Sequence, residues 1–188
     1  MEFTVVRGDI AAQSADALVN AAGTSLRMGS GVAGALRRAA NGPINDEAME
    51  QGPVDLGGIA VTDAYDLDAE HVIHAAAMPH YGVHETPSES RELTRTGGSG
   101  ADGRATEESI REATRNALER ADELGCESIV IPVLGTGAAG FEFRSGARFV
   151  CEAVRDYEPS SLTDARVIAY DGREYDELES VAESVRSS

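Results

Sequence analysis

The stretch SIVIPVL, Ser128 to Leu134, is apolar on both faces of an extended chain and runs straight into glycine. A strand with two apolar faces must be covered on both, which is the situation of a central strand in a mainly parallel sheet. Glycines from Gly135 to Gly140 turn the chain, and an amphipathic segment over 145–157 takes it back as a helix. One such unit already excludes an all-helical bundle and a one-sided antiparallel sheet.

The rest of the chain repeats the alternation. Short apolar segments at 3–6, 17–19, 59–62, 71–75 and 165–170 read as strands. Segments at 31–40, 44–51 and 175–185 read as helices. A longer helix is expected from Thr106, a good N-cap, to about Leu124, with Ile110, Ala113, Ala117, Leu118, Ala121 and Leu124 along one side and Gly125 as its terminator. Repeated strand-to-helix units imply α/β architecture, one sheet between helix layers, in a single domain spanning 1–188. Residues 84–106 break the pattern. They are rich in Ser, Thr, Gly and Glu, and GGSGADG within them has too little apolar surface to fix a conformation. They read as a flexible insertion, with a functional lid as the alternative.

Composition narrows the chemistry. The chain has 33 acidic and 16 basic residues, a net charge of −17, and every basic residue is arginine. Without lysine there is no Schiff base and no phosphate-binding P-loop lysine. A charge this negative disfavours nonspecific nucleic-acid binding and attraction to an anionic membrane. Acid dispersed along the chain, with lysine absent, is expected of a cytoplasmic protein from a high-salt organism such as a halophilic archaeon, with an unusually acidic mesophilic protein as the alternative. The sequence begins strand-like, without the basic start and apolar core of a signal peptide, and no apolar run approaches the ~20 residues of a membrane span. Cys126 and Cys151 read as a reduced, buried pair.

Two segments share one form: a buried strand, a glycine-rich loop, then a helix. They are LVNAAG…RMGSGVAG, Leu18 to Gly34, and IVIPVLGTGAAGF, Ile129 to Phe141. Glycine lets backbone N–H groups turn toward a ligand, and a helix N-terminus adds its dipole. Two such loops face to face could hold a diphosphate without any cation. Either loop alone reads equally well as a tight turn.

Taken in order, GDI at Gly8 to Ile10, VNAAG at Val19 to Gly23, MGSGVAGALRRAA at Met28 to Ala40, VIHAAA at Val72 to Ala77 and SIVIPVLGTGAAGF at Ser128 to Phe141 resemble the macro domain family, known for ADP-ribose binding and Appr-1''-p processing. The resemblance covers nearly the whole chain except 84–106. It implies a three-layer α/β/α sandwich with a mixed central sheet and ADP-ribose in a cleft across the sheet's edge. In the family the aspartate of GDI accepts a hydrogen bond from the adenine amino group, and Asp9 matches it, although a turn or cap role would also suit an aspartate there. Ile10 would pack beside the base, and Asn20 matches the asparagine near the distal ribose. Gly29, Ser30, Gly31, Val32 and Ala33 would form one phosphate-facing loop. Gly135, Thr136, Gly137, Ala138, Ala139 and Gly140 would form the other. Phe141 and Tyr170 are candidate aromatic walls, with core packing as the alternative.

The departures bear on mechanism. Hydrolytic members of one branch carry NAAN and an aspartate in the first glycine loop, where this chain has Gly23 and Ala33. A second branch uses a lysine nucleophile and an aspartate in the second loop, and this chain has neither. The remaining candidates for chemistry are Asn20 and His80, the latter as an acid-base group or merely a solvated loop histidine. His71 and His74 lie three apart in a strand and so face opposite sides, which breaks up a four-histidine metal site. No metal and no cofactor is expected. Two function classes follow: a protein that binds ADP-ribose, or an ADP-ribosylated substrate, and hydrolyses a mono-ADP-ribosyl, ester or phosphate bond, and a non-catalytic ADP-ribose-binding module.

Overall fold

The structure is a computed structural model and describes residues 1–79, 104–137 and 140–188. Strand β1 (Thr4–Arg7) leads through one 3-10 turn (Ile10–Ala12) to β2 (Ala17–Gly23). Helices α1 (Gly31–Ala40) and α2 (Ile44–Glu50) come next, then β3 (Ile59–Asp63) and β4 (His71–Met78). Helix α3 (Glu107–Glu123), β5 (Ser128–Pro132), α4 (Phe143–Asp156), β6 (Asp164–Ala169) and α5 (Gly172–Arg186) complete the order. Among the described residues the strands form one six-stranded sheet, β1-β6-β5-β2-β4-β3. Only β3 runs antiparallel to its neighbour, so the sheet is mixed.

Strand β5 is the buried strand that the sequence announces. Ile129 and Ile131 point to one face, where Ala113, Ala117 and Leu118 of α3, Val150 of α4 and Leu178 of α5 cover them. Val130 points to the other face and packs with Leu36 of α1 and Ile44 of α2. All three β5 side chains are completely buried. At about 25 cal/mol per Å² of apolar surface, each contributes on the order of 2 kcal/mol.

Element ends differ from expectation by a few residues where a capping contact decides. Helix α5 begins at Gly172 because the Asp171 side chain accepts from Glu174 N–H. Strand β4 runs on to Met78 because β2 pairs with it over its whole length. Helix α3 starts as expected: Thr106 Oγ1 accepts from Ser109 N–H at 3.1 Å, and Ser109 Oγ accepts from Thr106 N–H at 2.9 Å. Of the expected insertion, 84–103 lies outside the described residues, while Ala105 is buried against the core. No helix among the described residues is long and apolar enough to cross a membrane.

The topology positions the site. From β2 the chain goes first to β3 and β4 on one side and only later to β5 on the other. Loops therefore diverge beyond the carboxyl ends of β2 and β5, where a crevice opens.

Candidate functional site

A cleft of about 760 Å³ lies along the carboxyl ends of β1, β6, β5, β2 and β4. At the β1–β6 end, Gly8 continues the strand pairing by donating to Ala169 O at 2.9 Å, which delivers Asp9 to the rim. Asp9 Oδ1 accepts from Ala11 N–H at 2.9 Å and caps the 3-10 turn. No hydrogen bond among the described residues reaches its Oδ2. Ile10 is buried at the base of the cleft, and Tyr170, 73% exposed, stands over its edge. Glu174 lines the same end and accepts from Tyr170 N–H at 3.3 Å.

The first glycine loop sits at the N-terminus of α1. Gly29, Ser30, Gly31, Val32 and Ala33 all line the cleft. Ser30 caps the helix in extended backbone without a side-chain hydrogen bond, and the first turn holds no acid. Its orphan N–H groups and the positive end of the helix dipole are left for a ligand. The loop is pinned from behind: Met28 N–H donates to Asn45 Oδ1 at 2.9 Å, and Arg37 Nη1 donates to Met28 O at 3.1 Å.

The second loop contributes Gly135, Thr136 and Gly137. A Cβ at Gly135 would fall 2.6 Å from Ile110 Cδ1, so this glycine is required by the close approach of α3. Gly137, with φ +67°, faces open space, so its glycine serves backbone conformation and access to the cleft. Gly146 lets α4 approach this loop closely, since a Cβ there would meet Thr136 Cγ2 at 2.8 Å.

Several expected site residues lie elsewhere. Asn20 does not line the cleft. Side chains alternate along β2: Ala21 and Gly23 line the cleft, while Asn20, 1% exposed, is held inside the fold. Its Nδ2 donates to His74 Nδ1 at 3.0 Å. Phe141 is not a cleft wall. Its ring packs edge-on against Phe149, centroids 5.7 Å apart, and Phe143 lines the cleft instead. Gly140 is exposed beside the Arg104 side chain and outside the cleft lining. Ala138, Ala139 and His80 lie outside the described residues.

Sequence reasoning missed four charged or aromatic residues that line the cleft: Arg27, Arg38, Phe143 and Glu174. For Arg38 a signal existed. It follows Gly31 and Ala35 at helical spacing, and all three line the cleft. The cleft is electrically polarised. Its carboxylates, Asp9 and Glu174, belong to the β1–β6 end, and its guanidinium groups, Arg27 and Arg38, to the segment that follows β2. Among the described residues no three His, Cys, Asp or Glu side chains come together as a metal-binding set.

Comparison with known proteins agrees with this architecture. An uncharacterised protein of Saccharolobus solfataricus is 33% identical over 189 residues, covering 98% of this chain and 94% of its own. One from Pyrobaculum aerophilum is 36% identical over 172 residues, covering 89% and 82%. Among solved structures, a mutant Oceanobacillus iheyensis macrodomain with ADPR matches at TM-score 0.78 and 22% identity, over 98% of this chain and 93% of that one. The Trypanosoma brucei macrodomain in complex with ADP-ribose matches at TM-score 0.74 and 23% identity, over 94% and 67%. At these identities the structural likeness speaks for the fold. The Macro domain family profile matches residues 19–150, which include most of β2, all of α1, β4 and β5, and both glycine loops, and the chain belongs to that family.

Proposed function

We propose that the cleft binds ADP-ribose or a close derivative. The observation that carries this reading is the layout of one cleft. A carboxylate with an unengaged oxygen stands at the β1–β6 end, and two glycine loops with open N–H groups lie farther along. Asp9 would accept from the adenine amino group through Oδ2, with Ile10 beneath the base and Tyr170 at its edge. The loops at Gly29–Ala33 and Gly135–Gly137 would face the diphosphate. The likeness to macrodomains solved with ADP-ribose supports the same assignment.

The cleft supports binding over turnover. Gly23 and Ala33 both line it at the positions where hydrolytic members carry an asparagine and an aspartate. A chain that hydrolysed an ADP-ribosyl, ester or phosphate bond here would have to position water with a ligand phosphate and backbone amides.

Titration calorimetry with ADP-ribose in molar salt tests the binding, with AMP and ATP as controls. One-to-one, selective heat is the expected result. A folded sample that gives no heat overturns the reading. Incubation with ADP-ribosylated protein then separates a binder from a hydrolase, and release of ADP-ribose would establish turnover.

A further inference from the structure

The notable feature of this cleft is cationic. In a chain of net charge −17, two arginines line it, and neither takes part in an ion pair among the described residues. Their placement is built. Arg27 is exposed between Leu26 and Met28, both completely buried, so its backbone is anchored on either side. Met28 is held further by Asn45 and Arg37. Arg38 reaches the same loop from the helix. A Cβ at Gly34 would lie 3.2 Å from Arg38 Nη1 and 2.9 Å from Gly29 O. The guanidinium therefore folds back over Gly34, one helical turn earlier, and sits beside the first glycine loop.

We propose that Arg27 and Arg38 form a guanidinium pair that reads the diphosphate of the ligand, making this cleft select nucleoside diphosphates over monophosphates. The inference rests on the nucleotide reading of the cleft given above. Guanidinium presents several fixed N–H donors to phosphate oxygens, and its hydrogen bonds to an anion are stronger than neutral ones. The amides of the loop supply orientation. The arginines add the charge that distinguishes two phosphates from one, and Gly34 keeps open the space that Arg38 occupies. This differs from the expectation of a diphosphate held by amides alone.

The test is calorimetry of adenosine, AMP, ADP and ADP-ribose against the wild-type chain and against Arg27→Gln, Arg38→Gln and the double variant, at low and at molar salt. Both side chains are exposed, so the variants should fold; matching thermal melts check this. The expected result is a wild-type preference for ADP over AMP of about tenfold or more, which is about 1.4 kcal/mol. That ratio should fall toward one in the double variant, recover in part in Arg38→Lys, and shrink with salt in the wild type more than in the variants. A wild-type ratio near one, or a ratio unchanged in the double variant, overturns the inference even where ADP-ribose binds. Absence of any heat with ADP-ribose in the wild type overturns the underlying nucleotide reading as well.

Discussion

Asn20 Nδ2 lies 3.0 Å from His74 Nδ1, so a residue of β2 is tied to its register partner on β4 inside the core. The amide donates to the ring, and His74 Nε2–H is left to donate to Thr62 Oγ1 at 2.9 Å. The chain of contacts crosses three strands and fixes the imidazole as neutral. Burial pushes the His74 pKa down to about 4. In an unfolded chain an imidazole titrates near 6.5. Between those values the unfolded state holds more protons, so stability rises with pH through that window and is lost as pH falls from about 6.5 toward 4. The loss is on the order of 3 kcal/mol, at about 1.4 per pH unit. Denaturant melts from pH 7 to 4.5 should show it, and His74→Gln should flatten that slope. Equal slopes in both proteins would remove His74 from the account of acid stability.

Substitution at Asn20 separates architecture from ligand contact. Asn20→Ala removes the donor to His74 and should cost about 1–3 kcal/mol of stability, the range for a buried hydrogen-bonding group. Selectivity among ADP-ribose, ADP and AMP should hold, because the side chain is buried against His74 and does not line the cleft. An Asn20→Ala protein with a wild-type melt and altered ligand preference would contradict the placement of this side chain.

Asp9 has two separable tasks. Its Oδ1 caps the 3-10 turn, and Oδ2 is left for the ligand. Asp9→Ala should lose both: about 1 kcal/mol of cap stability, and about 1.5–3 kcal/mol of ADP-ribose binding, the range for a hydrogen bond to a charged group. Asp9→Asn keeps an oxygen for the cap but turns an amide donor toward the base. It should keep the melt and lose the affinity. Parallel behaviour of the two variants in both assays would disprove the division of labour.

Much of the fold was legible because its causes are local or nearly so. The two-faced apolar run of β5, the N-cap Thr106 and the positive-φ glycine Gly137 each carry their reason in nearby residues. What was missed depended on contacts across the chain. Strand β2 is buried on both faces, so alternation could not say which side of the sheet receives Asn20; pairing with His74, 54 residues away, decides it. Phe141 and Phe143 could not be told apart by type. The bridge from Thr136 to Phe141 and the start of α4 at Phe143 direct one ring to Phe149 and the other to the cleft. Arg27 owes its position to burial of its neighbours, which only the assembled core reveals.

Gly137 and Gly135 should respond differently to substitution although they stand two residues apart. Gly137→Val meets no neighbouring atom but must hold a branched side chain at φ +67° and directs it into the cleft. It should abolish measurable ADP-ribose binding while costing about 1–2 kcal/mol of stability from the left-handed backbone. Gly135→Ala puts a Cβ 2.6 Å from Ile110 Cδ1 in the main core, as well as straining φ +76°, so its first effect should be a lower melting temperature. Binding and unfolding measured on both variants check the contrast, and a Gly137→Val chain that binds normally would remove this loop from the site.

Salt should act on this protein in two opposite directions. The net charge is −17, and the described ion pairs engage only a minority of the acids, so like-charge repulsion opposes folding. Raising ionic strength from about 0.1 M to about 1 M shortens the Debye length from about 10 Å to about 3 Å, and the melting temperature should climb. Sucrose, which strengthens burial without screening charge, should raise it less. The attraction between the cleft arginines and a diphosphate is screened by the same ions, so affinity for ADP should fall over the range in which the fold gains stability. Thermal melts and calorimetry on one salt series measure both. A melting temperature that is flat or falling with salt would mean that the acidic surface is not a net source of repulsion. Affinity that rises with salt after correction for the folded fraction would mean that the arginines do not meet an anion.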